Sequence, residues 1–243
     1  MFSFFAKKYF FVDLLEGFTD FHNHILPGID DGSPDVETSL QLLKKFEEFG
    51  VTSFVHTPHV MNDYYPNTPD TINAALKELK AAQPEHIKNS AAAEYMMDQP
   101  LMDKIDDEKL LKISGNFSLV EMSFLQPPIN LKEIIFALQN KGHVLILAHP
   151  ERYGFFHASD LRKYSSLKTR GCYFQLNMLS LSEHYGKGIQ KMAFKLLENQ
   201  MIDYISSDTH RLEHLEKLQN IKLKSKEIEM LKPVIENSKS LFA

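Results

Sequence analysis

Short β-branched or aromatic runs alternate with longer amphipathic ones along this chain, and residues able to ligate a metal stand where run after run gives way to a loop. These clusters are His22-Asn23-His24, Asp30-Asp31, Thr57-Pro58-His59, Glu94, Glu121, His149 and Ser207-Asp208-Thr209-His210. The alternation predicts βα units joined by right-handed crossovers, which either close into a barrel or wind into an open sheet. The ligands discriminate between the two. They fall at the ends of at least five predicted strands, and only a closed barrel gathers that many strand ends around one pocket. The expected fold is therefore α/β, a TIM-like (β/α) barrel of seven units.

The strands are expected at 18–24, 51–56, 88–94, 118–123, 143–148, 172–177 and 202–207. The fifth, His-Val-Leu-Ile-Leu-Ala, is almost continuously apolar, as a strand buried on both faces should be. Between them, Ser33 or Asp35 can cap a helix striped with Leu40, Leu43, Phe46 and Phe49 and stopped by Gly50. A second helix opens at 67–69 and carries Ile72, Leu76 and Leu79; others are expected at 131–141, 161–169 and 189–198. The tail from Arg211 reads as helical and charged, with Pro233 either breaking it or opening a helix. No Gly-, Ser- or Pro-rich linker interrupts the series, so residues 1–243 are expected to form one domain, with an aromatic N-terminal segment at 1–17 and the helical tail at 211–243.

A formal net charge of −5 argues against a nucleic-acid binder built on a basic surface. Cys172 is the single cysteine, so no internal disulfide can form, in keeping with a reducing cytoplasm. The apolar pieces Met1-Phe2-Ser3-Phe4-Phe5 and Tyr9-Phe10-Phe11-Val12 are split by Lys7 and Lys8. Neither piece matches a signal-peptide core, and no 18-residue apolar run exists in the chain. The expectation is a soluble cytoplasmic protein, without membrane insertion, whose N-terminal aromatics pack over the closed end of the barrel.

His22 and His24 lie two apart on a strand, so both imidazoles face the same side and can share an ion. Asp208 and His210 repeat that spacing. Asp30-Asp31-Gly32 reads either as ligands or as a turn with Asx hydrogen bonds. Pro58 stiffens the exit from the second strand and aims His59, while His56 is expected to pack behind it. Glu121 sits within Leu119-Val120-Glu121-Met122, where an unpaired buried carboxylate would cost several kcal/mol, so a cation partner is expected. Glu94 ends an alanine-rich strand, and His149 follows the apolar fifth strand. His143 is six residues earlier, about 20 Å away at 3.3 Å per residue, and so belongs to the opposite end. His86, His157, His184 and His214 have no comparable context. A cysteine-based phosphatase loop, Cys-x5-Arg, would need arginine where the chain has Met178. That mechanism is excluded.

The blocks His22-Asn23-His24, Leu26-Pro27-Gly28-Ile29-Asp30-Asp31-Gly32, Thr57-Pro58-His59, Ala93-Glu94-Tyr95, Ala148-His149-Pro150-Glu151-Arg152-Tyr153 and Ser207-Asp208-Thr209-His210 resemble the polymerase-and-histidinol-phosphatase (PHP) superfamily. More narrowly, they resemble its bacterial tyrosine-protein phosphatases of the CpsB/CapC/YwqE type, in order from about Thr19 to His210. The resemblance implies a distorted seven-unit (β/α) barrel holding three divalent metal ions, manganese foremost, with iron, zinc, cobalt or magnesium as alternatives. It assigns His22, His24, Glu94 and Asp208 to the first ion, Glu94, Glu121 and His149 to the second, and Asp31, His59 and His210 to the third. Arg152 would bind the phosphate. Where the family often carries a second phosphate-binding arginine, this chain reads Leu212-Glu213-His214-Leu215, which leaves Arg211 as a substitute.

Four carboxylates against three divalent ions leave roughly two positive charges, which suits a phosphomonoester dianion. Metal ions can lower the pKa of a water from 15.7 to about 7, and a phenol of pKa about 10 leaves more readily than an alkyl alcohol. The implied activity is manganese-dependent hydrolysis of phosphotyrosine on a protein, a bacterial tyrosine kinase controlling capsule or exopolysaccharide synthesis. The loops 62–66 and 179–187 are expected to frame the mouth. The alternatives are a phosphomonoesterase acting on a small metabolite such as histidinol phosphate, and a metal-stabilised binding module without turnover.

Overall fold

A computed structural model of the chain describes residues 8–105, 110–157 and 160–242. The strands are β1 (Lys8–Phe10), β2 (Thr19–Asp20), β3 (Ser53–His56), β4 (His59–Val60), β5 (Lys88–Ala91), β6 (Glu94–Met96), β7 (Phe117–Glu121), β8 (Val144–Ala148), β9 (Tyr173–Asn177), β10 (Tyr204–Ser206) and β11 (Lys222–Lys224). The helices are α1 (Val36–Glu47), α2 (Pro69–Ala82), α3 (Gln99–Lys104), α4 (Leu131–Asn140), α5 (Arg162–Thr169), α6 (Lys187–Glu198), α7 (Leu212–Gln219) and α8 (Ser225–Ser240). Parallel pairing runs in the order β10-β9-β8-β7-β6-β4 in one sheet and β2-β3-β5 in another. This is an α/β fold with parallel sheets, as its alternating runs predict.

Two strands are interrupted where the ligands emerge. The second, expected at 51–56, forms as β3 and resumes beyond its expected end as β4 after Thr57-Pro58, because proline has no N–H for the ladder. The third splits into β5 and β6 at Ala92-Ala93. Hydrogen bonds from Ala92 N to His56 O (2.7 Å) and Glu94 N to Pro58 O (3.0 Å) carry the pairing across both breaks.

The strand expected at 18–24 keeps regular pairing only at Thr19–Asp20. Beyond it, Phe21 N and His22 N both donate to the Ser206 hydroxyl, at 3.0 and 2.9 Å. Buried Asp20 accepts from the Ser206 hydroxyl and from the Ser207 N–H and hydroxyl. Further along, the backbones meet: Asp208 N donates to His22 O (2.7 Å), His24 N donates to Thr209 O (2.9 Å), and Asn23 forms a parallel bridge with Thr209. The β2 segment and the end of β10 are thus stitched by side chains below and by backbone above.

Two apolar clusters result. The larger fills the space between strands and helices, with Leu42, Phe46, Ile72, Leu79, Ile134, Leu138 and Leu196 among its buried members. The smaller takes Phe21, Val55, Ala92, Leu119, Ile146, Ala148 and Tyr204 from successive strand segments, and Leu241 and Phe242 pack against it. Residues 241 and 242 therefore pack on the strand face that carries this smaller cluster, with the Phe21 and Phe242 rings 5.9 Å apart.

The tail departs from the expected all-helical reading. It contains β11, which pairs antiparallel with β1 (Lys8 opposite Lys224, Phe10 opposite Lys222). Alternation of exposed Lys222 and Lys224 with buried Leu223 suits a strand with one covered face. Phe11 and Leu15, just after β1, are fully buried, whereas Phe10 is exposed. Residues 1–7 of the expected aromatic segment lie outside the described residues. Pro233 neither breaks nor opens α8 but sits within it. Both Pro233 and Glu229, whose carbonyl loses its partner, are exposed, so water can take over that bond.

Helix α8 also satisfies a strand. Ile205 N donates to the Ser238 hydroxyl (2.9 Å), which donates in turn to Val234 O (2.8 Å). Ser238→Ala orphans a buried N–H and should cost about 1–3 kcal/mol in chemical denaturation, whereas a loss under about 0.5 kcal/mol would show that this bond does not hold α8.

Candidate metal centre

The ligand-type residues cluster at strand ends, at strand breaks and in one turn. His22 and His24 follow β2, His59 opens β4, Glu94 opens β6, Glu121 closes β7, His149 follows β8, and Asp208 and His210 follow β10. The α1-side turn supplies Asp31. Most are fully buried; Asp31 is exposed and His210 half-buried.

Glu94 is the hub. One of its oxygens lies 3.2 Å from His22 Nε2, 3.5 Å from His24 Nε2 and 3.1 Å from His59 Nδ1, and the other 3.2 Å from His149 Nε2. Asp208 Oδ1 stands 3.3 Å from Nε2 of both His22 and His24. Asp31 faces His59 and His210 at 3.6 and 3.5 Å. Four sets have ligand atoms within 4.8 Å of one another: His24-Asp31-His59-His210, His22-Glu94-His149, His22-His24-Asp208 and His59-Glu94-Glu121. All nine sequence-predicted ligands are brought together. The expected trio Glu94, Glu121 and His149 is divided between two of these sets, because Glu121 lies 2.8 Å from His59 Nδ1.

The donor set fits divalent cations. His22 Nε2, His24 Nε2, His59 Nδ1 and all four carboxylate oxygens of Glu94 and Glu121 are buried without a hydrogen-bond partner. Burial and then the Glu94 carboxylate push Glu121 up to about 7. Burial opposes charge on His59, yet Glu121 and Glu94 hold it at about 10. Protons on imidazoles are here balancing carboxylates that cannot otherwise be ionised side by side. Mixed imidazole and carboxylate donors at these spacings serve manganese, iron, zinc or cobalt chemistry.

Backbone strain accompanies the ligands. His149 (φ 35°) and Asp208 (φ 53°) both occupy the left-handed region, which non-glycine residues hold only when their surroundings fix them. Gly32 packs so closely on His24 that a Cβ would fall 2.0 Å from the His24 carbonyl oxygen. The turn there serves both readings of Asp30-Asp31: Asp30 accepts from Gly32 N (3.0 Å) while Asp31 faces the histidines.

Two orienting residues, Gln175 and Asn177, escaped the sequence reading, and Asp30, expected as a ligand or turn residue, takes an orienting role. Gln175 Oε1 lies 2.8 Å from His22 Nδ1, which leaves Nε2 for the cluster. Asp30 Oδ2 does the same for His24 Nδ1 at 2.7 Å and also accepts from His59 N. Asn177 donates to Asp208 Oδ2 (2.7 Å). The period-two pattern of the β9 run could have flagged Gln175 and Asn177, two polar residues on one face of an otherwise apolar strand.

Arg152 donates through Nη1 to Asp208 Oδ2 (2.7 Å) and lies between two rings, 4.6 Å from the Phe124 centroid and 4.2 Å from that of Tyr185. Loops 62–66 and 179–187 do reach the cluster: Tyr65 stacks on His59 and Tyr185 on Arg152. Arg211 is exposed at the N-cap of α7, its charge felt at His214. His143 bonds to Ser118 near the other end of β8.

Two outcomes follow. Stripping divalent ions with a chelator should lower Tm, and adding Mn²⁺ back should restore it, the added stability being about 2.7 kcal/mol at 100 times Kd; Glu94→Ala should abolish the response, and an unchanged Tm in the unmodified protein would contradict a resident ion. Burial pushes His56, bonded to Asn23 Oδ1, down to about 3. Below pH 6.5 the unfolded chain takes a proton that the folded imidazole refuses, so this residue costs stability as pH falls from 6.5 towards 3, by at most about 1.4 kcal/mol per pH unit. His56→Gln should flatten the stability profile of metal-free protein between pH 6.5 and 5; an identical slope would place the proton uptake elsewhere.

Relatives share most of this length. The CapC protein of Staphylococcus aureus is 28% identical over 199 residues, covering 79% of this chain and 77% of the relative. The tyrosine-protein phosphatase YwqE of Bacillus subtilis is 27% identical over 199 residues, with the same coverage. In fold, the chain is similar to a solved structure from a study of YwqE of B. subtilis and CpsB of Streptococcus pneumoniae, described as metal-dependent tyrosine phosphatases, with a TM-score of 0.77 and 23% identity over 92% of this chain and 93% of that one. The family model for CpsB/CapC of capsular polysaccharide synthesis matches residues 18–241. Spanning every ligand-bearing strand end, that match places this chain in the CpsB/CapC family.

Proposed function

We propose that this chain is a manganese-dependent protein-tyrosine phosphatase, acting as one domain built on a distorted seven-unit (β/α) barrel. The observation that carries the reading is the double engagement of Asp208, one oxygen facing His22 and His24 and the other bonded to Arg152. A phosphate-binding cation is thereby tied to the cluster that demands ions. With the separate β1–β11 pair set aside, counting β3 with β4 and β5 with β6 as single interrupted strands gives seven, and the Asn23–Thr209 bridge supports their closure into a ring.

In this reading three divalent ions are held by His22, His24, Glu94 and Asp208, by Glu94, Glu121 and His149, and by Asp31, His59 and His210. Such ions, when bound, supply Lewis-acid neutralisation of phosphoryl charge and lower the pKa of a water for in-line attack. The chain's own residues do the rest. Phe124 and Tyr185 hold the Arg152 guanidinium plane, so its free donors meet phosphoryl oxygens without first losing rotamer freedom. Gln175 and Asp30 fix the tautomers of His22 and His24. Arg211 adds positive charge at the rim. A phenol leaving group, of pKa about 10, makes little demand on a general acid.

The substrate is a phosphotyrosine protein, on the family's association with capsular polysaccharide synthesis a bacterial tyrosine kinase, and the site of action is the cytoplasm. No helix among the described residues is long and apolar enough to cross a membrane.

Purified protein loaded with Mn²⁺ should turn over phosphotyrosine well ahead of phosphoserine and histidinol phosphate, and His149→Ala should lose on the order of 100-fold or more. Preference for histidinol phosphate would reassign the enzyme to small metabolites. Metal binding without any turnover would make it a binding module.

A further inference from the structure

We infer that the cleft beside the metal cluster docks a large apolar side chain of the substrate protein, one to three residues from its phosphotyrosine. The inference rests on the phosphatase reading above. Three strand segments that carry ligands run straight on into the walls of this cleft. Met61 is two residues past His59, Met96 two past Glu94 and Ser123 two past Glu121. Two extended residues span about 7 Å, so the cleft opens within reach of the chain on either side of a bound phosphotyrosine. Phe124 makes the join continuous, following Ser123 while stacking on His149 (5.4 Å) and beneath Arg152 (4.6 Å).

The cleft encloses about 500 Å³, enough for a large side chain. Its lips carry Tyr64, Leu125 and Ile129, exposed by 78%, 90% and 102%. Large apolar side chains gathered in water around one opening mark a contact surface rather than a core. Pro127 and Pro128 fix the loop between Leu125 and Ile129 before anything binds, while Met61, Met96 and Met97 give a floor that adapts to shape. The charged residues on the lining are Asp63 and Asp98. An acidic flanking residue is therefore disfavoured, and leucine, methionine or phenylalanine favoured.

The test uses the Mn²⁺-loaded 243-residue protein and phosphotyrosine heptapeptides with otherwise uncharged alanine and serine side chains, in which one leucine or one glutamate is walked from −3 to +3. Phenyl phosphate is the reference substrate. At one or two positions leucine should raise kcat/KM about tenfold over alanine, with glutamate below alanine. Leu125→Ser and Ile129→Ser, both on exposed side chains, should bring the leucine-to-alanine ratio near one, while Phe136→Ser, on an exposed face of α4 outside the cleft, should leave that ratio intact. Equal rates for all peptides, with phenyl phosphate turned over normally, would overturn the docking site and leave the phosphatase standing. Failure on phenyl phosphate and every peptide would overturn both. A concentration-dependent dimer in sedimentation, lost in Leu125→Ser without any peptide preference, would reassign the cleft to a second copy of the chain.

Discussion

Glu94 and Glu121 place four carboxylate oxygens in the interior without one hydrogen-bond partner, and the rest of this structure is arranged around that cost. A bare buried carboxylate is worth several kcal/mol against folding, a large part of the 5–15 kcal/mol that a domain has in total. Imidazolium groups can offset the charge in the absence of ions, and the raised His59 reflects that demand. A divalent cation does so with a denser charge and releases the histidines to be neutral donors. Folding and ion binding should accordingly be coupled.

Meeting that constraint requires side chains from six strand segments and one turn to converge within a few ångströms, and regular pleating alone does not deliver it. The chain spends its irregularities where the ligands are. Pro58 interrupts one strand, Ala92-Ala93 another, and the Phe21 and His22 N–H groups share the Ser206 hydroxyl. His149 and Asp208 take left-handed backbone conformations. Below this level the same strands turn apolar residues inward, closed over by Leu241 and Phe242. An apolar layer under a polar one keeps the ligands rigid without exposing the interior to water.

Much of the site was readable because ligation has a short-range signature. His22 and His24, or Asp208 and His210, share a side of one strand through a spacing of two, and Glu121 in an apolar run has no inexpensive explanation other than a cation. The alternation of runs likewise announced a parallel α/β fold. Gln175 and Asn177 were missed because two polar residues on one face of a short strand do not announce which histidine or carboxylate they orient. Asp30, singled out as a ligand or turn residue, shows its orienting role only through its contact with His24. The pairing of β1 with β11 was hidden for a related reason. Two three-residue segments more than two hundred positions apart become a strand pair only once the fold brings them side by side.

The sequence by itself determined which side chains could ligate an ion and at which strand ends they emerge, since residue type and local periodicity set both. Tertiary structure alone decided which ligands are neighbours. It put Glu121 beside His59, set Arg152 between Phe124 and Tyr185, and opened a methionine-floored cleft past three of the ligand-type residues. Distances between strands depend on the twist, the breaks and the packing of the whole sheet, and no local window of sequence contains them.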